Sequence, residues 1–151
     1  MPFSASRRVH TLFMMLTFAA FGVSTEVVFT AFTSLFTQEP MCDKPLASMA
    51  GRSYVWMLFI YGAIPLFAFY IYNRVKHLHV LVRLFLYVLI VYVVEFTTGY
   101  ILQLATGKCP WQYTSGWHVM GLIRLDYFPA WAIFCWLVER LYVFVNNRMV
   151  Q

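Results

Sequence analysis

Charge is the scarcest ingredient of this chain. Only 11% of its 151 residues are Asp, Glu, Lys or Arg, and just six are acidic. A soluble domain carries about 25% charged residues, so a water-facing globular fold is excluded at the outset. Other scarcities narrow the chemistry. The three cysteines contain no C-x-x-C pair, which removes the usual zinc and dithiol redox motifs. No glycine-rich phosphate loop is present, so hydrolysis of ATP by a P-loop is excluded. Neither a nucleophile elbow nor a Ser-His-Asp pattern appears. The eleven Lys and Arg are scattered in ones and twos without a basic stripe, so the net charge of +5 does not point to nucleic acid. Alternating runs of about ten residues, which a membrane β-barrel needs, are also missing. No Asn-x-Ser/Thr acceptor is present, and no cofactor is implied.

What the chain has instead is apolar surface. Hydrophobic residues make up 62%, including 15 Phe, 10 Tyr and 5 Trp, and the mean hydropathy is +0.69. One core of this size cannot hide them all, so the excess must face lipid. Four apolar segments stand out, at about 12–36, 54–72, 84–105 and 127–145. Each is long enough to cross a ~30 Å hydrocarbon core as a helix. The expected fold class is all-α integral membrane: a four-helix transmembrane bundle in a single membrane domain, 1–151. Pro65 and Pro129 fall within apolar spans; each is expected to kink its helix, or for Pro129 to sit in the first turn.

Lys and Arg placement sets the expected orientation. Arg7, Arg8, Arg74, Lys76, Arg83, Arg140 and Arg148 lie on one side, and Lys44, Arg52, Lys108 and Arg124 on the other. Seven against four places both termini in the cytoplasm. The N-terminal "SRRVHTLFMMLTFAAFG" has features of a secretory or twin-arginine signal. Its apolar run continues to Phe36, beyond a signal's hydrophobic region, so an uncleaved first span is expected.

Three of the six acids, Glu26, Glu95 and Glu139, fall inside the apolar spans. An ionised group at the bilayer centre costs about 2.5–3.5 kcal/mol on insertion scales, so each must face the bundle, pair with a base or hold a proton. Helical spacing gathers Gly22, Glu26, Thr30, Thr33 and Thr37 on one face of the first span. Glu95, Thr98, Gly99, Leu102, Gln103 and Thr106 share a face of the third, and Ala132, Cys135 and Glu139 do so more weakly in the fourth. Glu26 lies about 14 residues into its span and Glu95 about 11 into a parallel one, so their heights differ by roughly 5 Å and they are natural counterparts. Two readings stay open. Glu26, Glu95 and Glu139, with Thr30, Thr98 and Gln103, form either a proton- or cation-handling interior or a hydrogen-bonded network that fixes packing.

Between the third and fourth spans, "CPWQYTSGWHVMGLIRLDY" (109–127) brings Trp111, Tyr113, Arg124 and Asp126 to the mouth of the bundle. It reads either as an interfacial aromatic belt or as a re-entrant lid over the polar faces. Cys42 and Cys109 fall in loops expected on the same side, so a disulfide between them and two free thiols are equally open. "KHLH" (76–79) offers two histidines without a third ligand, which is too little for a metal site.

Taken together, "GVSTEVVFTA" (22–31), "VWMLFIYG" (55–62), "EFTTGYIL" (95–102), "CPWQYT" (109–114) and "GLIRLDYFPAW" (121–131) resemble, in order and spacing, the transmembrane protein 229 family. Related bacterial sequences are labelled ABC-transporter type IV or CmpB-like. The resemblance runs from Gly22 to Glu139 and implies a multi-pass helical membrane protein. Gln112 departs from the family pattern, which has Asp there. "LFAFYIYNR" lacks a glutamate that vertebrate members carry near the end of the second span.

Three functions are therefore in contention. One is a membrane subunit or small-solute or proton carrier with a carboxylate-lined interior. Another is a structural or regulatory membrane protein whose glutamates only fix helix packing. The third is an intramembrane enzyme acting on lipid with a glutamate as general base, though no nucleophile or metal set accompanies it. The expected partners are the lipid bilayer and, for a carrier, further copies or a larger membrane complex.

Overall fold

The computed structural model describes residues 5–36, 51–107 and 111–149. Four long helices dominate: α1 (Ala5–Phe36), α2 (Val55–Val75), α3 (Val80–Thr106) and α4 (Phe128–Met149). Each contains a stretch long and apolar enough to cross a membrane. In lipid a helix satisfies its own backbone hydrogen bonds, which is why apolar runs of this length fold this way. The chain is an all-α multi-pass membrane protein by the length and composition of these helices. Their exposed faces carry large apolar side chains, among them Phe59, Phe67, Val93, Leu104 and Ile133, as lipid contact requires.

The helices extend past the apolar runs that announce them. α3 starts at Val80, a turn before the apolar run at about Leu84, because His79 caps it: the His79 Nδ1 accepts from the Leu81 amide at 3.4 Å. At its other end Gly107 adopts the left-handed conformation (φ 73°) and returns its amide to the Gln103 carbonyl at 2.9 Å, a glycine C-cap. Pro65 lies inside α2, and Pro129 sits in the first turn of α4, where no helical hydrogen bond is lost.

The chain divides into two compact units, residues 1–70 with 145–151, and residues 71–144. In the first, α1 meets α2 through small residues. A Cβ on Gly22 would collide with the Tyr61 ring, and one on Gly62 would touch the Met15 carbonyl at 3.4 Å and the Ala19 methyl at 3.6 Å. Small residues let two backbones approach this closely in a membrane. In the second unit, Val88 and Tyr92 of α3 pack on Cys135 of α4, surrounded by Leu84, Val91, Phe128 and Trp131.

Between α3 and α4 lies a feature the sequence reading does not contain. Two short antiparallel strands, β1 (His118–Val119) and β2 (Ile123–Arg124), pair His118 with Arg124 and Val119 with Ile123. A single 3₁₀ turn, Leu125–Tyr127, then leads into α4.

Candidate functional site

The second unit holds the largest group of the residues singled out by the sequence. Glu95 is buried on α3 and accepts a hydrogen bond at Oε1 from the Tyr113 hydroxyl at 2.9 Å. One turn further along, Gly99 forms the floor for the segment that carries that tyrosine. A Cβ there would meet Trp111 Cζ2 at 3.2 Å and Leu122 Cδ2 at 3.3 Å. Trp111 and Leu122 are only 6% and 1% exposed. The Trp111 indole N–H donates to the Leu122 carbonyl at 3.1 Å, and the Tyr113 amide to the Gly121 carbonyl at 2.9 Å. The 111–127 segment thus folds back over the Glu95–Gly99 face of α3 and is fastened to itself.

Its outer edge is held by charge. Arg124 Nε donates to both Asp126 oxygens at 2.9 Å, and Nη1 donates to the Tyr127 hydroxyl at 2.9 Å. The guanidinium lies 4.3 Å from the Tyr127 ring centre. Asp126 raises the Arg124 pKa above the ordinary guanidinium value, chiefly by hydrogen bonding to it. Gly116, at φ +77°, leaves room for that guanidinium, which a Cβ would strike. The Tyr92 hydroxyl donates to the Leu125 carbonyl at 3.1 Å, tying the end of the segment to α3.

Glu139 sits in a different cluster of the same unit. Arg83 grips it in a two-pronged contact, Nε to Oε2 at 3.0 Å and Nη2 to Oε1 at 2.8 Å. The Tyr87 hydroxyl donates to Oε2 at 2.8 Å. Arg83 Nη1 also donates to the Leu78 carbonyl at 3.0 Å, closing the α2–α3 connection. Such a fork on a carboxylate is among the stronger polar contacts in proteins. Arg83 and Tyr87 are one helical turn apart on one face of α3, a spacing visible in the sequence. Arg140, next to Glu139 in the chain, is exposed and lies beside the Trp136 ring.

In the first unit, Glu26 Oε2 accepts from the Ser53 hydroxyl at 2.9 Å, with Tyr61 as a second hydrogen-bonding neighbour. Thr30 fastens the same end. Its hydroxyl accepts the Arg52 amide at 2.8 Å and donates back along α1 to the Glu26 carbonyl at 2.9 Å.

The remaining candidates are placed more simply. The Thr98 hydroxyl bonds back to the Val94 carbonyl at 2.6 Å, and the Gln103 side chain is exposed. Cys42, Cys109 and Thr37 lie outside the described residues, so the Cys42–Cys109 disulfide has no structural account. Ser53, Arg83 and Tyr87 are the partners that reading the sequence misses. The arrangement neutralises one carboxylate with a base and supplies hydroxyl donors to the other two. No family model matches the chain, and no solved structure matches it.

Proposed function

We propose that this is a structural or regulatory multi-pass membrane protein whose intramembrane glutamates fix its folded arrangement rather than carry a substrate. The observation that carries this reading is the destination of Glu139. A buried carboxylate held by a guanidinium fork and a phenol has its oxygens engaged by protein donors and is fixed in one rotamer. A group that loads and releases a proton in every cycle needs the opposite. Glu26 and Glu95 support the same reading, because Ser53 and Tyr113, which donate to them, lie on connecting segments that these bonds pin down.

The competing reading, a membrane subunit or small-solute or proton carrier, requires Glu95 to exchange Tyr113 for solvent. Membership of the transmembrane protein 229 family is proposed with the function. Its support is that the two most specific motifs of the resemblance meet in space: Glu95 and Gly99 of "EFTTG" lie against Tyr113 and Trp111 of "CPWQY".

Reconstitution separates the two readings. The protein in vesicles containing a pH-sensitive dye should give no proton or cation flux above empty vesicles. Glu95→Gln and Glu139→Gln should each lower the unfolding temperature in mild detergent. A flux that Glu95→Gln abolishes while leaving the unfolding temperature unchanged would establish the carrier instead.

A further inference from the structure

The tip of the β1–β2 hairpin carries large apolar side chains outward, while Leu122 and Ile123 on the return limb pack inward. Trp117 is 77% exposed and Met120 is 67% exposed, with Val119 also open between them. Most of the Trp117 and Met120 surface is left outside the packing of the unit. Met120 is, moreover, the one non-glycine residue with positive φ among those described, at 52°. That left-handed conformation suits glycine or asparagine, and a bulky side chain adopts it at a cost. Gly121 follows at φ +71°, so the turn places methionine where folding favours glycine. An exposed apolar residue in a strained position is better explained by what it touches outside the fold.

We propose that this hairpin tip, Trp117 to Met120, is an anchor that inserts into the headgroup layer of the bilayer beside α3 and α4. Tethering supplies the occupant. The apolar span of α3 ends at Thr106 and that of α4 begins at Leu125, so the hairpin is tied at both ends to helices of membrane-spanning length. From Leu125 back to Met120 the chain reaches at most about 17 Å at 3.4 Å per residue. The headgroup layer is itself roughly 5–8 Å deep. The Tyr113–Glu95 and Tyr92–Leu125 bonds hold the segment against α3, so the tip stays beside the apolar spans rather than reaching out to full length. Tryptophan is a preferred side chain at that depth, and methionine adapts to irregular apolar surroundings.

Several polar groups of the hairpin already have partners within it, which lowers the cost of entry. Arg124 is occupied by Asp126 and Tyr127. His118 Nδ1 accepts the Gly121 amide at 3.3 Å, and the Trp117 amide donates to Asp126 at 3.3 Å. The largest side chains left facing outward, Trp117 and Met120, are apolar.

The experiment uses the full chain in vesicles of phosphatidylcholine and phosphatidylglycerol. Of the five tryptophans, the Trp117 signal is isolated as wild type minus Trp117→Phe, a change that an exposed side chain tolerates. Lipids brominated near the headgroup end of the acyl chain should extinguish that signal, while aqueous acrylamide should leave it. Met120→Gly serves as the second variant. It should unfold at a higher temperature in detergent, because the strained position is relieved, yet lose part of the shielding of Trp117 from acrylamide. Quenching by acrylamide and not by bromolipid would place the tip in water and overturn the proposal. Insensitivity to both would show that protein, a second copy or another partner, covers it, and would overturn the proposal equally.

Discussion

Glu139 shows how one residue is read differently alone and in its setting. In the sequence it is an acid in an apolar run with Arg140 beside it. Neighbours in a helix do not share a face, and the base that serves it is Arg83, 56 positions away. That partner was not legible, because a cation at the end of a span looks like every other headgroup-facing cation. The energetic consequence is testable. Arg83→Met leaves a buried carboxylate without its base and should cost about 3 kcal/mol, the low end for such a loss, since Arg83 retains some exposure. Tyr87→Phe removes one hydrogen bond to the same carboxylate and should cost about 1.5 kcal/mol. The double variant Arg83→Met/Glu139→Leu should recover most of the stability, because two apolar side chains replace the pair. Unfolding in detergent across the four combinations of Arg83 and Glu139 measures the coupling. Strict additivity would show that the pair contributes nothing.

At the scale of elements, the apolar runs reveal the helices but not their ends. Residues 73–83 read as a basic loop, yet α2 continues to Val75 and α3 resumes at Val80. A helix does not stop where its side chains turn polar; it stops at caps such as His79 and Gly107. The β1–β2 hairpin was illegible for a different reason: strands of two residues carry no period. The face shared by Glu95 and Gly99 was legible, since it follows from helical spacing alone. What that face receives was not, because the partner segment is held by the Trp111 indole and the Gly121 carbonyl rather than by any repeating pattern. This contact predicts the effect of volume at Gly99. Its Cβ space is already bounded at 3.2–3.3 Å by Trp111 and Leu122. Gly99→Ala asks its neighbours to move by tenths of an ångström and gains helix propensity, so it should be close to neutral. Gly99→Leu cannot be accommodated, and overpacking of this kind costs about 1–3 kcal/mol. Its diagnostic is a red shift in Trp111 emission as the segment lifts from α3. An unshifted spectrum with normal stability would mean that the 111–127 segment is not seated on Gly99.

For the whole molecule, the ion pairs refine the argument about orientation. Four spans would put both termini on one side, and we propose from the distribution of basic residues that this side is the cytoplasm. Among the described residues, Arg83 is paired with Glu139 and Arg124 with Asp126. In the expected topology one lies at each membrane surface, so discounting both leaves the cytoplasmic excess in place. The bias then rests on the tail with Arg7 and Arg8, the α2–α3 connection with Arg74 and Lys76, and the end of α4 with Arg140 and Arg148. A reporter fused to the C-terminus should be reached by protease or impermeant label only from the cytoplasmic side. Arg7→Asn/Arg8→Asn should shift a fraction of molecules to the opposite orientation. Arg83→Gln should leave orientation unchanged while lowering stability, because its charge is committed to Glu139. If Arg83→Gln instead inverted the protein as readily as the tail variant, that cation would be acting on the lipid and the headgroup potential, and its pairing with Glu139 would not govern the fold.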